Sequence, residues 1–174
     1  GIYRPVWLEV LPAVHMRHFI LHADQNGKFR AVVEMEGDAK GYELAASVCS
    51  LKEGKAIYTV NHKNTLLYKI ADSGKEYTLQ GEWSGVLPWS TEDPNLYVVT
   101  LELRDPEGKV VQTREERIGF RTVEFFPQDG VYLNGTKLVV KGINRHSFSV
   151  DGGRATSAAM SLQDALLVKE MNMN

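Results

Sequence analysis

The chain has 174 residues, of which 43% are hydrophobic and 24% are charged, and its formal net charge is −2. This composition is typical of a packed protein and excludes a mainly disordered chain. The near-neutral charge excludes a chain-wide basic field that would hold nucleic acid or an anionic membrane surface, so we expect neither partner. At roughly 150 residues per domain, the length predicts one domain and a remainder.

Both ends of the sequence favour an excised piece or a mature chain. Gly1 is not an initiator methionine, and residues 2–8 form a strand-like run without the charged start and apolar core of a signal peptide. The single cysteine, Cys49, excludes an internal disulfide and a multi-cysteine metal site. No apolar run approaches the roughly 18 residues that a membrane-spanning helix needs.

Residues 14–126 alternate between apolar and polar side chains, with turn residues between the runs. This pattern is typical of an antiparallel sandwich whose strands bury one face. Further strand runs lie at residues 56–60 and 77–83, and the turn at 105–108 returns the chain as a hairpin over 109–112. The predicted inward positions are Phe29, Ala31, Val33, Met35, Leu44, Ala46, Val48, Tyr97, Val99, Leu101 and Leu103.

After Arg121 the pattern changes to a hairpin, a long loop and a helix. Asn134-Gly135 between two apolar runs predicts a two-residue type I′ turn. A loop over 144–159 follows, and the capping box at 161–164 predicts a helix that begins at Ser161 and is still running at Asn174. Strand, loop and helix in this order indicate the first unit of a β/α barrel, which needs roughly 250 residues when complete.

Several polar groups could carry chemistry, but their surroundings favour surface roles. The carboxylates are Glu34, Glu36, Glu92, Asp93, Glu115 and Glu116, and we interpret them as solvated charges. His15, His18 and His22 lie in an extended segment that turns His15 away from the other two, which disfavours a metal site. The sequence contains no nucleophile triad and no phosphate-binding loop.

Asn144, Arg145 and His146 follow a short apolar strand, Leu138 to Val140, which predicts their delivery to the rim of a barrel. Spacing alone leaves a purely structural role open for this loop. Trp89 also has two interpretations. It closes the end of the sandwich as a buried plug, or it offers a stacking platform for a sugar.

Six phrases, in this order and spacing, resemble glycoside hydrolase family 2, the β-galactosidase and β-glucuronidase group. They are GIYRPVWL at 1–8, PWS at 88–90 followed by PNLY at 94–97, GFR at 119–121, LNG at 133–135, KGINRH at 141–146, and residues 164–174.

The resemblance implies an all-β fold, an immunoglobulin-like antiparallel β-sandwich followed by the first strand-loop-helix unit of a β/α barrel. Residues 1–10 would be the last strand of a preceding sugar-binding jelly roll, residues 11–122 the sandwich, and residues 123–174 the start of the catalytic barrel. The implied partners are the remaining domains of the same polypeptide and a carbohydrate substrate, and the whole protein is expected to be a homo-oligomer.

The resemblance also implies retaining hydrolysis of terminal β-glycosides by two glutamates that lie later in the barrel, so we expect no catalytic residue in this chain. His146 matches the family histidine that reaches the sugar subsite, and Asn144 and Arg145 match its neighbours. No cofactor is expected here, since any divalent metal would be held by later barrel residues. Residues 147–150 depart from the family pattern, which leaves the sugar open. The alternative is a stand-alone carbohydrate-binding or adhesion module with an immunoglobulin-like fold.

Overall fold

The structure is a computed structural model that describes residues 5–52, 55–57 and 65–173. It contains two compact units, one formed by Leu11–Lys137 and the other by Gly1–Val10 together with Leu138–Asn174. No helix among the described residues is long and apolar enough to span a membrane.

The first unit is built from strands, and the helix belongs to the second. In chain order the elements are β1 (His15–Ala23), β2 (Lys28–Glu36), β3 (Glu43–Lys52), β4 (Lys55–Ile57), β5 (Leu66–Lys69), β6 (Glu76–Glu82), β7 (Leu96–Arg104), β8 (Val110–Ile118), β9 (Val123–Phe126), β10 (Gly130–Leu133), β11 (Thr136–Leu138) and α1 (Ala158–Glu170).

Two antiparallel sheets form the predicted immunoglobulin-like sandwich. One sheet has the order β1-β2-β6, and the other has the order β4-β3-β7-β8 with β5 also paired to β3. A separate small sheet has the order β11-β10-β9. Of the run predicted at residues 56–60, β4 covers Ala56 and Ile57, and residues 58–60 lie outside the described part.

The core confirms the alternation in the sequence, because every predicted inward position is buried. At one end of the sandwich an aromatic cluster adds to these residues. Trp83, which is fully buried, packs against the Phe29 ring with the centroids 4.5 Å apart, and Phe120 contacts Trp83 edge-on at 6.2 Å and Tyr97 at 5.1 Å. Aromatic side chains bury large areas, so this cluster is a main source of the stability of the sandwich.

A buried amide joins the edges of the two sheets. The pairing of β1 with β2 shifts register between Met16 and His18, and Met16 lies at this irregularity. The Met16 backbone N–H donates to Gln112 Oε1 at 2.6 Å, and Gln112 Nε2 lies 3.5 Å from the Met16 carbonyl oxygen. Gln112 lies on β8, the outer strand of the five-stranded sheet. Its side chain thus gives the Met16 backbone groups partners from the opposite sheet.

The structure differs from the sequence prediction in two apolar runs. Residues 5–10 form no strand, and Trp7 and Leu8 are exposed. Leu138 belongs to β11, but Val139 and Val140 lie outside the strand and are exposed. Neither segment belongs to a sheet of the described residues, so neither is a strand in the structure.

The predicted helix boundaries are wrong at both ends. Ser157 is the N-cap, because its hydroxyl accepts a hydrogen bond from the Met160 N–H, and α1 begins at Ala158 rather than at Ser161. At the other end Asn172 adopts a positive φ of 57°, and the Met173 N–H bonds the Val168 carbonyl. This is a Schellman motif, in which asparagine replaces glycine as the left-handed residue.

We expect Gln112→Ala to lower the free energy of unfolding by about 1 to 3 kcal/mol, because it leaves the buried Met16 N–H without a partner. Urea unfolding followed by tryptophan fluorescence measures the loss. The matched control is Thr113→Ala, the exposed next residue of β8, which should change stability by less than about 0.5 kcal/mol. Equal effects of the two substitutions would contradict the role of the amide.

Candidate functional site

The structure connects one of the three predicted site residues to the helix. Arg145 forms an ion pair with Asp164 of α1, and both side chains are about one-third exposed, at 32% and 33%. Asp164 was predicted as the last residue of a capping box, but it lies in the second turn of α1. The pair fixes the loop that precedes α1 to the helix, since charge-assisted contacts at partly buried positions are stronger than those in open water.

Asn144 and His146 flank this ion pair in an irregular, exposed segment. Arg145 is engaged by Asp164, and the Asn144 and His146 residues on either side of it are exposed to solvent. An amide donates and accepts, and a neutral imidazole does the same through its two nitrogens. Such a pair can bind the hydroxyl groups of a sugar.

The departure from the family pattern after His146 forms a closed turn. Ser149 is buried, and its backbone exchanges hydrogen bonds with Gly153 at 2.8 and 2.9 Å. Its hydroxyl oxygen also accepts the Gly152 N–H at 3.0 Å. The Ser149 side chain therefore has a structural role inside the turn, whereas Phe148 and Val150 on either side of it are exposed.

Of the two interpretations of Trp89, the structure favours packing at the end of the sandwich, although the residue is only half-buried. Trp83 fills the centre of the cluster instead. The Trp89 side chain lies against Gly119, where an added Cβ would come within 2.6 Å of Trp89 Cβ. The Arg121 guanidinium lies over the indole ring, 5.0 Å from its centroid. The ring is thus packed within the chain, which weakens its interpretation as a sugar platform.

Asn134 connects the hairpin of β10 and β11 to the end of the sandwich, a role that the sequence prediction missed. Its amide oxygen accepts the Thr122 N–H at 2.9 Å, its amide nitrogen donates to the Trp89 carbonyl at 2.9 Å, and its backbone N–H bonds the Thr122 carbonyl at 2.8 Å. The predicted turn is confirmed, since φ is 50° at Asn134 and 78° at Gly135. The Asn134-Gly135 pair already accounts for an asparagine at this position as a turn residue. The sequence therefore gave no reason to expect its contacts with Thr122 and Trp89.

A second set of hydrogen bonds closes one face of the same hairpin. The Tyr132 hydroxyl donates to Asp129 Oδ2 and Lys137 Nζ contacts Asp129 Oδ1, both at 2.6 Å. The hydrogen bond from Lys137, followed by that from Tyr132, lowers the pKa of Asp129 below its usual value. The carboxylate therefore stays ionised at neutral pH and acts as an acceptor for both strands of the hairpin.

Two open cavities flank the end of β1. One of about 540 Å³ is lined by polar groups that include His22, Arg117 and Arg121 and by apolar residues that include Ile118 and Val123. The other, of about 620 Å³, is lined by His22, Asp24, Lys28, Arg30, Gln80 and Glu82, among others. Both mix cationic and anionic side chains, so neither has the single sign of charge that would select an ionic ligand.

Apart from His22, which lines both cavities, the other polar candidates of the sequence lie away from these features. Within the described ranges no group of three His, Cys, Asp or Glu side chains could hold a metal ion, and His15 Nδ1 lies 2.9 Å from the Pro12 carbonyl oxygen. Glu34 pairs with the exposed Arg17 at 3.1 Å. The remaining carboxylates named above, on β8, at the end of β2 and in the loop before β7, are exposed.

Cys49 is buried on β3, and its thiol contacts the Val98 carbonyl at 3.8 Å. Burial raises the pKa of the Cys49 thiol, which keeps it protonated at neutral pH. A protonated, buried thiol is a poor nucleophile, so Cys49 belongs to the packing of the sandwich.

Comparison with known proteins matches two successive parts of the chain to models of one protein family. The sequence model of Glycosyl hydrolases family 2 matches residues 14–121, and that of Glycosyl hydrolases family 2, TIM barrel domain, matches residues 127–174. A β-galactosidase of Halalkalibacterium halodurans is 28% identical over the whole chain, which covers 17% of that protein.

Solved structures agree with these matches. A β-glycosidase of Bacteroides vulgatus superimposes over the whole chain with a TM-score of 0.76 and 26% identity. A β-glucuronidase of Bacteroides uniformis does so with a TM-score of 0.73 and 27% identity. The chain covers 22% of each of these two structures. It therefore spans less than a quarter of the length of all three relatives.

We expect Asn134→Gly to release the hairpin without unfolding the sandwich, because glycine accepts the positive φ and the substitution removes only the side-chain hydrogen bonds. Amide exchange of Val131 and Leu133 should accelerate about tenfold to a hundredfold, while exchange in β3 and β7 stays unchanged. Thr136→Ala, an exposed position of the same hairpin, is the control and should leave exchange as it is. Unchanged protection in Asn134→Gly would exclude a clamping role.

Proposed function

Because the chain belongs to glycosyl hydrolases family 2, we propose that it is the non-catalytic part of a larger retaining β-glycosidase that hydrolyses terminal β-glycosidic bonds. In this proposal residues 1–10 complete a preceding jelly roll, residues 11–122 form the sandwich, and residues 123–174 open the catalytic barrel. The observation that carries it is the succession of the two family matches along one chain, at residues 14–121 and 127–174.

The surface of the second unit supports an incomplete barrel. Val139 and Val140 are exposed, and so are Leu162, Leu166 and Leu167 of α1. A β/α unit buries its strand between neighbouring strands and its helix against the sheet, so one unit alone leaves both apolar surfaces in water. Further units of the same polypeptide would cover them.

The carboxylates of the chain support a catalytic pair located elsewhere. Retaining hydrolysis needs two carboxyl groups about 5 Å apart, one of which accepts and donates a proton. Glu43 and Glu102 are brought together, but both contact the Arg104 guanidinium, at 3.4 and 2.7 Å. Hydrogen bonding by Glu102, with the charge of Glu43, raises the pKa of Arg104 and keeps it charged. Both carboxylates are therefore engaged with one guanidinium, which is not the arrangement of a catalytic pair that faces a substrate.

For the chain's own site we propose that His146 binds a hydroxyl group of the sugar, with Asn144 beside it. Arg145 then acts by positioning, since its ion pair with Asp164 holds the loop against α1. The exposure of Asn144 and His146 in a loop that follows a short strand supports this role. These donors orient a neutral sugar and contribute no acid or base to the reaction.

The substrate class that we propose is a β-galactoside, the class named for the Halalkalibacterium halodurans relative. A β-glucuronide is the second candidate, because the Bacteroides uniformis structure with comparable identity is a β-glucuronidase. Assays of the whole protein with nitrophenyl β-galactoside and β-glucuronide distinguish the two candidates. The remaining domains of the polypeptide are the partners in this proposal, and a homo-oligomeric whole protein is tested by light scattering.

A stand-alone carbohydrate-binding or adhesion module gains no support from the fold. Such a module has no use for a strand, a loop and a helix after its sandwich, and that segment matches the barrel model from residue 127. Titration of the chain with galactosides and glucuronides tests the alternative, which requires millimolar or tighter binding confined to the sandwich.

We expect the 174-residue chain to release no nitrophenol from any aryl β-glycoside above the rate of a buffer blank, because in this proposal both catalytic glutamates belong to later parts of the barrel. The assay is repeated after a second purification, which removes contaminating host glycosidases. Turnover that survives repurification at constant specific activity would refute this expectation.

In the whole protein we expect His146→Ala to lower kcat/KM about a hundredfold and to leave the melting temperature unchanged, because it removes a hydrogen bond that strengthens in the transition state. His18→Ala, an exposed histidine of β1, is the control for general effects. A lower melting temperature with full turnover would instead assign His146 to loop packing.

A further inference from the structure

Two asparagines of the chain are followed by glycine, Asn26 before Gly27 and Asn134 before Gly135. In this dipeptide the glycine backbone nitrogen can attack the asparagine side-chain carbonyl carbon, because glycine has no side chain to hinder the approach. Both pairs lie in turns between neighbouring strands, and φ is 90° at Gly27 and 78° at Gly135. Since the local chemistry is the same, the surrounding contacts decide which asparagine reacts.

The side chain of Asn134 is held at both of its polar atoms. Its amide oxygen accepts the Thr122 N–H and its amide nitrogen donates to the Trp89 carbonyl, both at 2.9 Å. The reaction needs the carbonyl carbon to turn toward Gly135 and the amide nitrogen to leave as ammonia. Both hydrogen bonds must therefore break first, which releases the hairpin from the end of the sandwich.

The side chain of Asn26 has no such restraint. The residue is exposed, and its side-chain amide has no hydrogen-bond partner among the described residues. The attacking nitrogen of Gly27 does donate to the Asp24 carbonyl, at 3.1 Å. That bond lies within a single turn, so a local opening breaks it, and local openings of turns cost less free energy than the release of a packed element.

The turn of Asn26 is in close contact with the aromatic cluster. The Gly27 carbonyl accepts the Trp83 N–H at 2.9 Å, and an added Cβ at Gly27 would overlap the Trp83 carbonyl oxygen. Trp83 itself is fully buried. There is thus no room at Gly27 for a longer or displaced backbone.

We propose that Asn26 is a site of spontaneous deamidation, and that the isoaspartate formed there loosens the turn from Trp83. The Gly27 nitrogen forms a bond to Asn26 Cγ, the bond from Cγ to Nδ2 breaks, and the Gly27 proton leaves with the amide nitrogen as ammonia. Water then adds to one of the two carbonyls of the cyclic imide and opens it to aspartate or isoaspartate. Isoaspartate carries an extra methylene in the main chain. The proposal concerns the chain itself and does not depend on the proposed glycosidase activity.

The first test follows both asparagines in the same 174-residue chain at neutral pH, in buffer and in concentrated urea. Peptide mapping by mass spectrometry measures the conversion of each amide to an acid. In buffer Asn26 should react at least about tenfold faster than Asn134, because two side-chain hydrogen bonds of Asn134 must break. In urea these bonds are absent, so the two rates should become similar.

The matched control is Asn26→Gln, which keeps the amide but would have to form a larger ring. It should show no conversion at residue 26 and an unchanged rate at Asn134. Equal rates of the two asparagines in buffer would overturn the proposal. A tenfold difference that persists in urea would also overturn it, because the local sequence would then set the rates.

The second test measures the melting temperature of the isoaspartyl form after chromatographic separation. It should melt about 2 to 4 °C below the unmodified chain, because the longer backbone draws the Gly27 carbonyl away from the Trp83 N–H. Asn26→Asp introduces the same charge without the extra methylene and should leave the melting temperature unchanged. An unchanged melting temperature of the isoaspartyl form, or an equal decrease in Asn26→Asp, would overturn the proposed loosening at Trp83.

Discussion

The burial of Phe120 among Trp83 and Tyr97 is the contact on which the rest of the first unit depends. It anchors the linker of residues 119–122 that follows β8. The backbone groups of the linker then form hydrogen bonds with other parts of the first unit. The Phe120 carbonyl accepts the Trp89 N–H at 2.8 Å, and the Arg121 N–H donates to the Ala23 carbonyl at 3.0 Å. Thr122 binds Asn134 through both of its backbone groups. A buried aromatic ring thus fixes the direction in which the chain leaves the sandwich.

Much of the sandwich could be predicted from the sequence. A sheet with one solvent-exposed face and one buried face requires polar and apolar side chains to alternate along each strand. β2 and β7 show that period in their burial, whereas β3 also buries Ala45 and Cys49 on its other face, and the predicted inward residues of all three strands are buried. The contributions of Gln112 and Asn134 could not be predicted, since a polar side chain in an edge strand or a turn has an ordinary local explanation. Their real partners lie far away in the sequence, Met16 for Gln112 and Trp89 for Asn134.

The candidate site was predictable only in part. Asn144 and His146 lie in the expected loop, although the strand before it ends at Leu138 rather than at Val140. The pairing of Arg145 with Asp164 was hidden by a plausible capping box. The sequence prediction placed the helix cap at Ser161, whereas the hydrogen bond from the Met160 N–H places it at Ser157. The roles of Asn144 and His146 toward a sugar stay predictions.

The absence of a side chain at Gly119 has a mechanical consequence. Because an added Cβ there would overlap the Trp89 side chain, the linker and the Trp89 loop lie in direct contact without room to slide. The Asn134 amide donates to the carbonyl of the same tryptophan, so the hairpin and the linker both contact Trp89. A displacement of the hairpin would therefore move the linker and the Trp89 loop with it, because the three segments are held in direct contact.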